Sequence, residues 1–402
     1  MVRLLIVFAL VACTRTSEKY CGLHPEDLAN CPQQDAGLLS CASDPECPGE
    51  KPRCLLEGGT GRCVGCIDNV DCTLPGRQSC DAETRTCRSC IEHADCTATN
   101  VCLPEGTCGD SSRVIYVDGT NGTDAGDCAF AAPCKTITFA LDLVTDTRFF
   151  MKLSGELRES VVVNSQYVVI LAGPGTKLVG VGDPAFKVQK ATVNLYDLEI
   201  ACESTISGFK SEMVSTSVLR GVFVHGCEKG IESKSGFLNV SRSRIGENTG
   251  SGILMDSATQ FSITNSVIYR NGNVGAVSGG VLIGSTVTGM NRFEHNTVVD
   301  NLSKPPAAGG VVCPLANKME LAYNIIAGNA VADTSGCLPM KSMTGDPTPF
   351  AFKSTTAPYD YHLTAGSSAI DQIDFSNVND DIDGQFRPLG LRRDVGADEY
   401  KP

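Results

Sequence analysis

Val224-His225-Gly226-Cys227, Ile245-Gly246-Glu247-Asn248, Ile268-Tyr269-Arg270-Asn271, Val298-Val299-Asp300-Asn301 and Ile326-Ala327-Gly328-Asn329 repeat one phrase: an aliphatic residue, two spacers and a turn residue. Two positions before the aliphatic, the last four copies carry Ser243, Ser266, Asn296 and Asn324, and Gly-Ile or Gly-Val follows the turn at Gly230, Gly252, Gly280 and Gly310. The small polar residue and the aliphatic are two apart and share one side of a strand, a period of two and not of 3.6. The aliphatics recur at 21, 23, 30 and 28 residues, and Ile200 lies 24 before the first. That length suits one coil of two or three short strands with tight corners. Stacked coils lie roughly 4.8 Å apart, so equivalent residues form columns: aliphatics as a continuous core, and Asn248, Asn271, Asn301 and Asn329 as a ladder of amides at a corner that tolerates left-handed backbone. The expected fold is all-β, a right-handed parallel β-helix. The competing reading is a β-sandwich with turn asparagines.

Aliphatic bursts broken by Gly and Pro extend the coils back to about residue 149. Cys202 and Cys227 are 25 apart and Cys313 and Cys337 are 24 apart, one coil each, so both pairs are expected to staple neighbouring coils. The domain starts with the strand pattern Val114-Ile115-Tyr116-Val117. A loop rich in Asp, Asn and Gly follows, closed by Cys128 and Cys134; it reads as a turn-rich loop or as a calcium loop. Residues 135–141 predict a short amphipathic helix covering the open end of the solenoid. At the other end, Asp381 and Asp383 beside Gly384 are candidate calcium ligands, or partners of Arg387, Arg392 and Arg393 in closing the last coil.

Upstream, fourteen of the 21 cysteines lie within residues 21–108. Three units of about 24 residues can be laid out: Cys41-Cys47-Cys54-Cys63, Cys66-Cys72-Cys80-Cys87 and Cys90-Cys96-Cys102-Cys108, with Glu46, Asp71 and Asp95 before each second cysteine. Two disulfides per unit are expected, with connectivity open, and Cys21 with Cys31 as a further pair. The alternative for the two C-x2-C spacings is zinc or redox chemistry. The expected organisation is residues 1–12 as an export signal, 13–40 as a tether, 41–109 as the Cys-rich repeats and 110–402 as the β-helix with its N-terminal cap and C-terminal closing motif. The apolar run at residues 4–12 is too short to span a bilayer.

The repeat resembles the coil consensus of the pectin-lyase-like superfamily of right-handed parallel β-helix proteins, N-x-[IV]-x-x-N followed by Gly-Ile, over residues 113–402. The ending Asp394-Val395-Gly396-Ala397-Asp398-Glu399 is similar to the terminal motif of choice-of-anchor β-helix proteins, and the Cys-rich units resemble repeats of myxobacteria-like surface lipoproteins. Leu10-Val11-Ala12-Cys13 resembles a bacterial lipobox, which implies lipid attachment at Cys13 and an outer-membrane or surface address, or plain secretion if the signal is an ordinary one. Removing Cys13 leaves 20 cysteines, an even number, to pair.

Immediately before the turn residue, one column reads Gly226, Glu247, Arg270, Asp300, Gly328. Two carboxylates around an arginine suit glycoside hydrolysis or calcium-assisted lyase chemistry on a polysaccharide; the same column also reads as an ion-pair ladder. Neighbouring coils carry insertions at residues 272–279 and 302–309, on one side of the solenoid. His225 and His295 fall in different columns. The net charge of −13 disfavours nucleic acid, and no Trp with only nine Tyr leaves few platforms for sugars. The expected function is a monomeric, surface-anchored display, adhesion or glycan-contact module, meeting a polysaccharide or a surface protein; the alternative is a carbohydrate-active enzyme.

Overall fold

The computed structural model describes residues 40–287, 289, 291–313 and 319–401. Cys13, the expected export signal and the expected Cys21–Cys31 pair lie outside the described residues. The chain divides into two compact units, Met1–Cys108 and Gly109–Pro402.

In the first unit, each of the three cysteine repeats pairs its first cysteine with its third and its second with its fourth: Cys41–Cys54 and Cys47–Cys63, Cys66–Cys80 and Cys72–Cys87, Cys90–Cys102 and Cys96–Cys108. The acid before each second cysteine holds a tight 3-10 turn. Asp71 accepts from the amide of Ile67 at 2.7 Å and Asp95 from that of Ile91 at 2.8 Å, while Glu46 accepts from Ala42 at 2.9 Å. The same acids join repeat to repeat, since Arg53 pairs with Asp71 and Arg88 with Asp95. With every described cysteine in a disulfide, zinc and redox readings of the C-x2-C spacings fall away.

The second unit is a parallel β-helix. Its coils have three faces. One is a nine-stranded sheet, here the flank, running from Glu156–Glu159 through Phe223–His225, Arg244–Gly246, Val267–Tyr269, Thr297–Val299 and Ile325–Ala327 to Met343–Gly345. The other two belong to one 16-stranded sheet, joined where Lys229–Ser241 and Ile253–Thr264 run around a corner and serve both. The recurring aliphatics are in register across the flank: Leu157, Leu178, Ile200, Val224, Ile245, Ile268, Val298 and Ile326 each face the next. All eight are at most 1% exposed and belong to one apolar core, which also takes in Phe186, Phe209, Phe261 and Phe293 from the other faces.

The corner after the flank is built as the spacing predicts. Asn248 Nδ2 donates to Asn271 Oδ1 at 2.8 Å, Asn271 to Asn301 at 3.0 Å and Asn301 to Asn329 at 2.9 Å, and the run ends on Asp333. A second ladder, Asn296 to Asn324 to Ser342, lines the corner before the flank. Cys202–Cys227 and Cys313–Cys337 bridge neighbouring coils with Cα atoms 4.9 and 5.1 Å apart. Cys128–Cys134 closes the N-terminal loop, whose acids are spent on backbone: Asp118 accepts from the amides of Thr120 and Asn121, Asp124 from those of Lys135 and Thr136. The helix Ile137–Leu141 buries Ile137, Ala140 and Leu141 against the core, and the Glu159 carboxylate receives the amides of its first turn.

The C-terminal segment departs from expectation. It does not close the last coil. Residues 350–397 fold back along the outside of the flank, where Phe350, Tyr361, Leu363, Ala369, Ile373, Val395 and Ala397 cover Val267, Tyr269, Val299, Ile325 and Ala327. The pairing of the arginines is also different. Arg387 forms a fully buried ion pair with Glu399 at 2.8 Å, Arg392 reaches Asp374, and Arg393 meets Asn379. Their expected partner Asp381 is taken by three amides, those of Asp383, Gln385 and Glu399. The cause is the flank itself: its last strands carry apolar side chains outward as well as inward, and the tail is the element that removes them from water.

Candidate functional site

The column of Glu247, Arg270 and Asp300 is first of all a backbone feature. Gly226, Glu247, Arg270, Asp300 and Gly328 all have left-handed backbone, with φ of 68°, 57°, 51°, 57° and 68°. Glycines at both ends of the column were the sign of that requirement. Among the described residues the three charged members make no salt bridge with one another. Arg270 lies over the Tyr359 ring, 4.6 Å from its centre, and Asp300 accepts a hydrogen bond from the Tyr361 hydroxyl at 2.8 Å. The ion-pair ladder does not form; two of the three residues instead hold tyrosines of the folded-back tail. The insertions at residues 272–279 and 302–309 lie on each other, with the Lys304 amide donating to Ala276 at 2.7 Å.

Those tyrosines line a cleft of about 430 Å³ between the flank and the tail. The flank contributes Arg244, Val267 and Tyr269; the hairpin of Phe352–Ser354 and Asp360–Leu363 contributes Lys353, Tyr359, Asp360, Tyr361 and His362; Ile382 and Asp398 complete it. Tyr269 lies 5.3 Å from Tyr361 and 5.8 Å from Tyr359, ring centre to ring centre, and Phe352 packs edge-on against Tyr361. Three of the nine tyrosines therefore converge in one place, which the composition gave no means of seeing. Burial pushes the Tyr269 hydroxyl up to about 12, reinforced by the Glu247 charge, so this edge of the cleft is a neutral hydrogen-bonding group.

The polar wall is charged. His362 Nδ1 hydrogen-bonds Asp360, and its Nε2 lies 3.1 Å from Asp383 Oδ2. The contact with Asp383, helped by Asp360 and opposed by burial, raises the imidazole to about 9. Burial raises the Asp360 carboxyl, but His362 and Lys353, the latter at 3.0 Å, outweigh it and bring it down to about 2. Asp398 is raised by burial, with Leu363 donating to it at 2.7 Å. Of the two calcium candidates, Asp381 has its carboxylate occupied by amides, whereas Asp383 is half exposed and faces His362. His225 pairs with Glu199 on an earlier flank strand, and His295 is buried near Tyr323, so the two histidines do not meet.

Fold and site together define a parallel β-helix protein with a tyrosine-lined, charge-walled cleft on its flank. Compared with known proteins, the chain matches no family model, and no curated protein is significantly similar to it.

Proposed function

We propose that this is an exported, non-catalytic β-helix protein of the pectin-lyase-like, choice-of-anchor kind, displayed at the cell surface through lipid on Cys13 beyond its Cys-rich repeats, with the flank cleft contacting a glycan. The observation that carries this reading is the gathering of Tyr269, Tyr359 and Tyr361 around a cleft whose wall offers Asp360, His362 and Lys353. Aromatic rings supply the apolar faces on which sugar rings stack, and fixed charged groups beside them supply hydrogen bonds to hydroxyls. Contact without turnover is favoured because Arg270 and Asp300, the residues best placed by sequence for chemistry, support tyrosines instead. Nine disulfides, six in the repeats, two between coils and one closing the N-terminal loop, fit an oxidising, extracellular address.

A glycan array probed with the purified chain, scored for binding and for new reducing or unsaturated ends, tests this. Expected is binding to one class of polysaccharide, weakened about tenfold by Tyr359→Ala, as loss of a stacking ring worth roughly 1.5 kcal/mol would give. Product formation that Asp398→Asn abolishes would replace the display reading with an enzyme. Binding indifferent to Tyr359 would remove the cleft from the account.

A further inference from the structure

The charged wall of the cleft holds more than an ion-pair cluster needs. A ring nitrogen of His362, a carboxylate oxygen of Asp383 and one of Asp398 all lie within 4.8 Å of one another. His362 Nε2 is shielded from solvent and makes no well-aligned hydrogen bond, although Asp383 Oδ2 is only 3.1 Å away. The other ring nitrogen is held by Asp360. A carboxylate on one imidazole nitrogen, with the second nitrogen directed at further ligands, is the arrangement that orients histidines on metals.

We infer that His362, Asp383 and Asp398 form a binding site for a divalent transition-metal ion of the zinc class in the wall of the cleft, with Asp360 as the group that orients the imidazole. Ligand atoms at about 2.0–2.1 Å from a tetrahedral zinc sit roughly 3.3 Å from each other, close to the His362 to Asp383 separation. The remaining distance is closed by a small movement of Asp383, which has 47% of its side chain in solvent, while Asp398 stays buried. The three ligands are held by different contacts. His362 is on the strand Asp360–Leu363, Asp398 is pinned by the Leu363 amide, and Asp383 stands on a turn whose amides Asp381 collects. Asp381 thus becomes a positioning residue and not a ligand.

Charge points the same way. Among the described residues Lys353, at Asp360, is the one permanent cation that ion-pairs with Asp360, Asp383 or Asp398, and Arg242 acts on Asp383 from further away, so an ion that displaces the imidazole proton meets a net negative wall. One imidazole and two carboxylates suit zinc or manganese; calcium asks for six to eight oxygens, which this group does not offer. Three protein ligands would leave a tetrahedral ion one position for water or a ligand oxygen.

The competing account is that His362 is simply an imidazolium held between Asp360 and Asp383. Calorimetric titration of the full chain, freed of metal by a chelator, with zinc chloride at neutral pH separates the two, with manganese and calcium in parallel. Expected is one saturable zinc site, about tenfold weaker or more in His362→Gln and in Asp383→Asn, and unaffected by calcium. X-ray absorption of the zinc form should show one nitrogen and two or more oxygens and no sulfur. Both substituted side chains are partly exposed, and an unchanged circular dichroism spectrum confirms their folding. No saturable binding, or equal affinity in both variants, overturns the site and leaves the imidazolium clamp. The titration contains no glycan, so its failure leaves the reading of the cleft as a sugar contact standing.

Discussion

Asn301 makes five side-chain hydrogen bonds through one amide: it donates to the carbonyls of Ile268 and Val299 and to Asn329, and accepts from the amide and the side chain of Asn271. It is fully buried, so Asn301→Ala strands backbone groups of two coils away from water. Urea unfolding followed by circular dichroism is expected to show a loss of about 3 kcal/mol, whereas Arg270→Ala, exposed at the same corner on the neighbouring coil, should cost less than about 1 kcal/mol. Asp394 gives a pH signature. Burial pushes its carboxyl up to about 6, against opposing hydrogen bonds from the amides of Asp371 and Tyr400. The native state then holds a proton that the unfolded chain has released, so this group's contribution is most favourable below about pH 4 and is lost as pH rises through about 6. Unfolding free energy measured across that window should fall by on the order of 2 kcal/mol, and Asp394→Asn should flatten the fall; an unchanged slope would contradict the assignment. At this scale the asparagine ladder was legible because the spacing repeats. The left-handed character of Glu247, Arg270 and Asp300 was also written in the sequence, through Gly226 and Gly328 in register with them, but charge drew the reading toward chemistry and away from backbone.

Among the elements, the folded-back tail is the one whose place the sequence disclosed least. Its motif at residues 394–399 reads as a terminus, and nothing local distinguishes a tail that caps an end from one that runs along a side. The distinguishing sign lay elsewhere, in Val267, Tyr269, Val299, Ile325 and Ala327, where three successive late flank strands carry apolar residues at outward positions. On an earlier strand the corresponding outward residues are Arg244 and Gly246. The tail is fastened by Arg387, which meets Glu399 and also donates to the carbonyls of Asp380, Asp394 and Gly396. Arg387→Met leaves Glu399 buried without its counter-charge, a cost of roughly 3–5 kcal/mol concentrated in this one element. Limited proteolysis is the direct check: cleavage should appear first between residues 346 and 400, with the coils before them still protected. Simultaneous digestion of the whole solenoid would mean that tail and coils form one cooperative unit.

For the whole molecule, the two compact units rest on different sources of stability. In residues 41–108 the buried clusters are cysteines, so covalent links stand in for a core. The β-helix has a continuous apolar interior and needs its three disulfides less. Treatment with a reductant is therefore expected to abolish hydrogen-exchange protection in residues 41–108 while the coils from Val161 to Ala327 keep theirs. Loss of both together would show that the coil staples carry the solenoid. Cysteine parity and the repeat spacing made two bridges per unit legible, but four cysteines allow three pairings, and only the hairpins decide among them. In each unit the third and fourth cysteines face each other across a hairpin or bridge, Cys54 with Cys63, Cys80 with Cys87 and Cys102 with Cys108, yet each bonds to an earlier partner. The left-handed corner that runs through Gly226, Glu247, Arg270, Asp300 and Gly328 has a different kind of consequence. Each coil places one residue there at increments of roughly 4.8 Å, a charged side chain at Glu247, Arg270 and Asp300 and bare backbone at the two glycines, so the edge is a graduated scale on which marks are exchangeable while the spacing is not. A solenoid that gains a coil gains a graduation and leaves the earlier ones where they were.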